Sequence, residues 1–290
     1  MALILCIETS SKNCSVSVSD NGNLRSIKEQ MDDSYCHGEK LHVLIEELLD
    51  EANLSINSFD AFCLSAGPGS YTGLRIGAAA LKGFAFVTNK PIIAISTLMS
   101  LAHGFLTHDS LFSRNLAFAG PHHHKEVALG RTYLCPVIDS RQGEVYTALY
   151  EVARSSHQKL GSVSKSIFSD LYCELNELIS PSPALTNSFF DSNSHLKTKD
   201  DFEKTILELL SIDSTIFFFG SGTYKIEPSR KTLEFDYAHF DCNKNYLPSA
   251  KSLCVLAEKE FKKNNFVNSA YFEPLYLKDF IPTISKKNKL

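Results

Sequence analysis

The sequence predicts an α/β chain built from two similar units, and three observations carry that prediction. Short apolar runs of strand length alternate with amphipathic stretches of helical spacing along much of the chain. An apolar run ending in an acid and a hydroxyl, Ile7-Glu8-Thr9-Ser10 before a hairpin, recurs as Val137-Ile138-Asp139-Ser140 before the strand Glu144–Tyr150. A second run, Phe59–Ser65 ahead of a glycine-rich turn, is paralleled by Ile216–Phe219 ahead of Gly220-Ser221-Gly222. With 290 residues, 43% of them hydrophobic, the chain is long enough to bury two modest cores.

The elements follow in order. Leu3–Ile7 is an apolar strand, and Cys14–Ser19 alternates Val16 and Val18 with serines at the period of a pleated strand. Asp20-Asn21-Gly22-Asn23 is a hairpin signal, because Asn-Gly accepts the positive φ angles of a type I′ turn, so Leu24–Gln30 returns antiparallel. From Gly38 the spacing becomes helical, with Leu41, Leu44, Ile45, Leu48, Leu49 and Ala52 on one stripe. Phe59–Ser65 is a strand, and the turn Ala66–Gly73 feeds a helix running to about Thr88. Pro91–Ile95 is a short strand, and Ser96 or Thr97 caps the next helix. Segments 112–131, with His122-His123-His124, and 180–200, rich in Ser, Pro and Asn, are expected as inserted surface loops. Pro248 and Ser249 precede a last amphipathic helix from Leu253 to at least Phe261, and a frayed tail is expected after it. The expected division is 1–108 and 109–290, with the helix at about 249–264 packing back on the first unit.

Composition bounds the function. Lys and Arg number 29 against 33 Asp and Glu, a net charge of −4, so the chain lacks the overall basic field that drives unaided binding to a phosphate backbone. The eight cysteines include no CxxC pair and no zinc spacing, and are read as reduced, mostly buried thiols. The opening segment has neither a basic start nor the roughly 20 apolar residues of a membrane span, so a soluble cytoplasmic protein without membrane contact is expected.

Three groups of residues invite a chemical reading. The bare amides of the turn Gly67–Gly73 can hold an anion at a helix N-terminus, or the turn is a tight strand-to-helix connection. No Lys-Ser or Lys-Thr follows it, so it is not a P-loop. Gly73, Gly77 and Ala80 share one helix face, which suits close approach of a second helix or packing on the chain's own sheet. Glu8 and Asp139 each end a leading strand, where acids either face a cleft between the units or cap turns. His37 and His42 stand five apart, off the HExxH pattern, so no metal is expected there, nor at His122–His124. No GxSxG elbow or other nucleophile constellation is visible.

Five segments, IETSSKNCSVSV from Ile7, GPGSYTGLRIGAAALKG from Gly67, ISTLMSLA from Ile95, IDSRQGEVYTALY from Ile138 and EPLYLKD from Glu273, together resemble the TsaB family, also called YeaZ. The resemblance implies an actin-like (ASKHA) fold of two RNase H-like domains, each a mixed five-stranded sheet flanked by helices. It implies a non-catalytic scaffold that binds the catalytic paralogue TsaD, with the ATPase TsaE, in forming N6-threonylcarbamoyladenosine next to the tRNA anticodon. No cofactor is expected. Where the catalytic paralogue's paired-histidine metal motif would follow the strand Pro91–Ile95, this chain has Ser96-Thr97-Leu98-Met99. The family's dimerisation through its first two helices, with another copy in isolation or with the catalytic partner, places the interface at Leu41, Leu44, Ile45, Leu48, Gly73, Gly77 and Ala80. Glu8, Gly67, Gly69, Asp139, Gly220 and Gly222 would line a vestigial nucleotide cleft, and tRNA would be met only through the complex. The rival readings are an autonomous actin-like ATPase or sugar kinase and, last, a peptidase.

Overall fold

The computed structural model describes residues 2–32, 37–108, 131–140, 144–152, 175–185, 214–226, 238–240 and 246–277. Its first sheet contains β1 (Leu3–Glu8), β2 (Asn13–Asp20), β3 (Asn23–Met31), β4 (Ala61–Ser65) and β5 (Ile92–Ile95), in the order β3-β2-β1-β4-β5. β1, β2 and β3 form an antiparallel meander, while β4 and β5 add parallel to β1. The meander closes at Asn21 and Gly22, with φ of 53° and 82°, the left-handed pair that the Asn-Gly signal requires.

β1 is apolar up to its closing Glu8 because both of its faces are covered. Leu5 and Ile7 meet α1 (His37–Ala52) and α2 (Tyr71–Thr88) through Leu41, Leu44, Leu48, Ala78 and Leu81. Ile4 and Cys6 point the other way, onto Leu253 and Ala257 of the last helix (Leu253–Lys262).

The second sheet holds β6 (Arg131–Asp139), β7 (Glu144–Val152), β8 (Leu175–Leu185), β9 (Ser214–Phe219) and β10 (Ala238–Phe240), in the order β10-β9-β6-β7-β8. β6, β7 and β8 run antiparallel, and β9 and β10 add parallel to β6, so the connectivity of the first sheet is repeated strand for strand. The duplication read from two sequence patterns is therefore a duplication of fold.

α3 (Thr97–His108) packs on this second sheet through Leu98, Leu101 and Phe105, whose ring stacks on Phe219 at 4.0 Å. Each unit thus lends a helix to the other: α3, on the first side of the expected boundary at residue 108, covers the second sheet, and the last helix covers the first. Ser96 supplies the α3 cap, its Oγ accepting from the Met99 amide, while Thr97 turns inward to Ser65 and Gly67.

Two expectations are corrected. Residues 180–185 lie in β8, not in a loop, and pair with β7 at Tyr146↔Pro183. β8 is an edge strand, where a proline's missing N–H costs no ladder bond. The chain after the last helix is docked, not frayed, as far as Leu277. The Val267 amide donates to Ile92 O at 2.9 Å and that of Leu275 to Ala66 O at 2.7 Å. The insertion with His122–His124 and residues 186–200 lie outside the described residues, apart from Arg131, which begins β6.

Candidate functional site

The first glycine turn is closed by the chain itself. The Ser70 amide donates to Ser10 O at 2.7 Å, and Ser70 Oγ caps α2 by accepting from the Gly73 amide. Gly67 has φ +106°, and a Cβ there would stand 2.7 Å from Leu275 O. A Cβ on Gly69 would lie 2.5 Å from Ser10 O, one on Gly77 2.5 Å from Thr9 Oγ1, and one on Gly73 would overlap the Thr9 carbonyl oxygen. These glycines let the loop after β1 lie directly on α2, so one bare amide of the turn is already paired by backbone.

The same geometry places the expected interface residues on the inward side of the two helices. Leu41, Leu44, Ile45, Leu48 and Ala80 are buried in the chain's own core, and Gly73 and Gly77 face Thr9. The sheet claims that side of both helices because its branched side chains need covering. What α2 turns outward is a second stripe at helical spacing, Thr72, Ala79, Gly83 and Phe86, beside Val87, with the half-buried Ile76 between that stripe and the core. Phe86 is 87% exposed and Val87 78%; on α1, Val43 is 45% exposed and His42 lies edge-on against Phe84. The signal that would have found the outward stripe is Phe86-Val87, two large apolar residues off the core phase of the helix.

Glu8, at the end of β1, is fully buried, with Oε1 accepting from the Ser10 amide at 2.7 Å. Burial pushes its carboxyl above the ordinary value of 4.5, opposed by the hydroxyls of Ser10 and Ser65 and by main-chain N–H groups. A carboxyl raised by folding binds more protons in the native than in the unfolded state, so its contribution is complete below pH 4.5. It is lost as pH rises through the native value. Glu8→Gln keeps an acceptor for Ser10 and removes the titration. Urea unfolding across pH 4 to 8 should show the variant gaining on the wild-type chain as pH rises; a difference that is constant with pH refutes the assignment.

The second turn is closed in another way. Gly220, at φ +110°, and Gly222 pack on β6, and the Gly222 amide donates to Val137 O at 2.9 Å. Ser221 Oγ accepts from the Asp139 amide, and the Tyr224 hydroxyl donates to Asp139 Oδ2 at 3.3 Å. Lys225 forms an ion pair with Asp139 and donates to Ser140 O and Glu144 O. Sequence reasoning looked for a lysine after the first glycine turn and missed this one after the second. Burial and the neighbouring Asp139 push the Tyr224 phenol up, opposed by the positive charges of Lys225 and Lys12.

Other chemistry finds little support among the described residues. His37 is buried with Nε2 2.7 Å from Ser11 O, whereas His42 faces outward, and no three His, Cys, Asp or Glu side chains gather to hold a metal. The described cysteines at 6, 14, 63, 135 and 254 are buried and form no disulfide with one another, and burial holds the Cys135 thiol up to about 12, far from a thiolate nucleophile. No helix among the described residues is long and apolar enough to cross a membrane.

Two units of one sheet topology that exchange helices across a junction, with both glycine turns closed from within, define an actin-like α/β protein. The chain belongs to the family described as TsaD, tRNA N6-adenosine threonylcarbamoyltransferase, whose model matches residues 31–286, and within it to the TsaB, or YeaZ, proteins. It is 30% identical over 148 residues to the tRNA threonylcarbamoyladenosine biosynthesis protein TsaB of Escherichia coli, a match spanning 51% of this chain and 54% of that one. To the TsaB of Haemophilus influenzae it is 25% identical over 277 residues, 95% of this chain and 93% of the relative. The solved structure of YeaZ from Pseudomonas aeruginosa superposes with a TM-score of 0.62 at 22% identity, over 96% of this chain and all of that one, and shares the fold.

Proposed function

We propose that this chain is a non-catalytic subunit in the formation of N6-threonylcarbamoyladenosine beside the tRNA anticodon, holding the catalytic paralogue TsaD in an assembly joined by the ATPase TsaE. The observation that carries this reading is the outward face of α2, where Ala79 and Gly83 leave room for a close helix and Phe86, 87% exposed, stands ready to anchor it. The pathway named for the TsaB relatives supports the setting. A cytoplasmic location fits a reaction on tRNA, and with a net charge of −4 the chain meets tRNA through its partners. In isolation the same face pairs two copies about a two-fold axis.

The test is co-purification of the tagged chain with the family's catalytic member. Wild-type chain retains the partner and Phe86→Asp loses it. The purified chain alone neither modifies tRNA nor turns over ATP. Retention by the Asp variant sinks the proposed interface, and brisk turnover by the lone chain sinks the non-catalytic reading.

A further inference from the structure

We propose that Lys225 is a tethered cation: its ammonium fills the position beside Asp139 that a hard metal ion would take, so this turn excludes a metal-chelated polyphosphate by supplying its own counter-charge. The Lys225 side chain is only 15% exposed. Its Nζ pairs with Asp139 Oδ1 and donates to Ser140 O at 2.6 Å and to Glu144 O at 3.2 Å. Three acceptors meet the three N–H bonds of an ammonium, so the group is fully used. A carboxylate and two main-chain carbonyls converging on one point are also the donors that magnesium and calcium prefer.

The arrangement is held from both sides. Gly220 and Gly222 leave no room for a Cβ against Val137 and Ile138, which presses the start of α4 (Thr223–Ile226) onto β6 and aims Lys225 at the β6–β7 connection. Asp139 cannot turn away freely, because its amide is held by Ser221 Oγ and its Oδ2 by the Tyr224 hydroxyl. A metal seated at the point where the three oxygens converge would have to displace the ammonium from all of them. The inference gives a physical cause for part of the non-catalytic reading and rests on it, but its test involves no partner, so either can fail alone.

Terbium luminescence tests it, since Tyr224 touches the Asp139 carboxylate and sensitises an ion bound there. In the wild-type chain, Tb3+ emission should be the same with Asp139→Asn. Lys225→Met, which keeps the buried stem and removes the charge, should raise emission severalfold. That gain should vanish on addition of Asp139→Asn and on competition with calcium. Wild-type emission that falls with Asp139→Asn overturns the proposal, as does a folded Lys225→Met chain no brighter than wild type. Should Lys225→Met fail to fold by circular dichroism, Lys225→Gln replaces it under the same two criteria, and the wild-type comparison stands without either.

Discussion

Gly73→Ala should destabilise the chain by about 3 kcal/mol or more, the upper end of what an added methyl costs in a filled interior. The added Cβ would overlap the Thr9 carbonyl oxygen and come within 3.1 Å of the His37 ring, so α2 must move off the loop that follows β1. That movement breaks the bond from Thr9 Oγ1 to Gly73 O, now 2.8 Å, and loosens Ser70 N from Ser10 O. Gly83→Ala is the control on the same helix. Apart from the backbone of its own helix turn, nothing lies within 4 Å of its Cβ position, so alanine should stabilise by about 0.5–1 kcal/mol through helix propensity alone. Thermal melts of the two variants should move in opposite directions. A Gly73→Ala chain as stable as wild type refutes the close approach.

Phe86→Asp should weaken partner binding by about 2 kcal/mol or more, roughly thirtyfold in Kd, while leaving the melting temperature of the free chain close to wild type. The two readouts separate because Phe86 is 87% exposed: a surface substitution changes stability by about 0.5 kcal/mol, and an acid in the last turn of α2 costs at most about 1 kcal/mol against the helix dipole. A buried anchor in a partner's groove contributes far more. Leu44→Arg, by contrast, puts a charge among Leu41, Leu48 and the sheet, so it would lose the partner by losing the fold. Titration calorimetry with the catalytic paralogue and a melt of the same samples give both numbers. A melting temperature that falls in step with affinity refutes a purely interfacial role for Phe86.

Much of the fold was legible because it rests on local rules. The period-two run Cys14–Ser19, the Asn21-Gly22 turn and the stripe on α1 each report a backbone state within a few residues, and the described strands and helices follow them. The edge strand β8 was not legible, because its Ser-Pro-rich sequence reads as loop and only the pairing with β7 makes it a strand. The tail was misread for the same reason: the bond from Leu275 N to Ala66 O joins segments some 200 residues apart, and no window of sequence contains both.

Sequence alone determined that the chain has two units of one pattern, that its glycines mark two turns, that α1 and α2 are amphipathic and which family the five segments resemble. It could not say which way the glycine face points, since a stripe of small residues suits a sister helix and a neighbouring loop equally. Tertiary structure decided that: the loop after β1 fills the Gly73–Gly77 face, leaving Phe86 outward, and the α4 turn brings Lys225 to Asp139, 86 residues earlier in the chain. Packing and ion pairing are settled by what arrives in space, whereas turns and periodicities are settled by neighbours along the backbone.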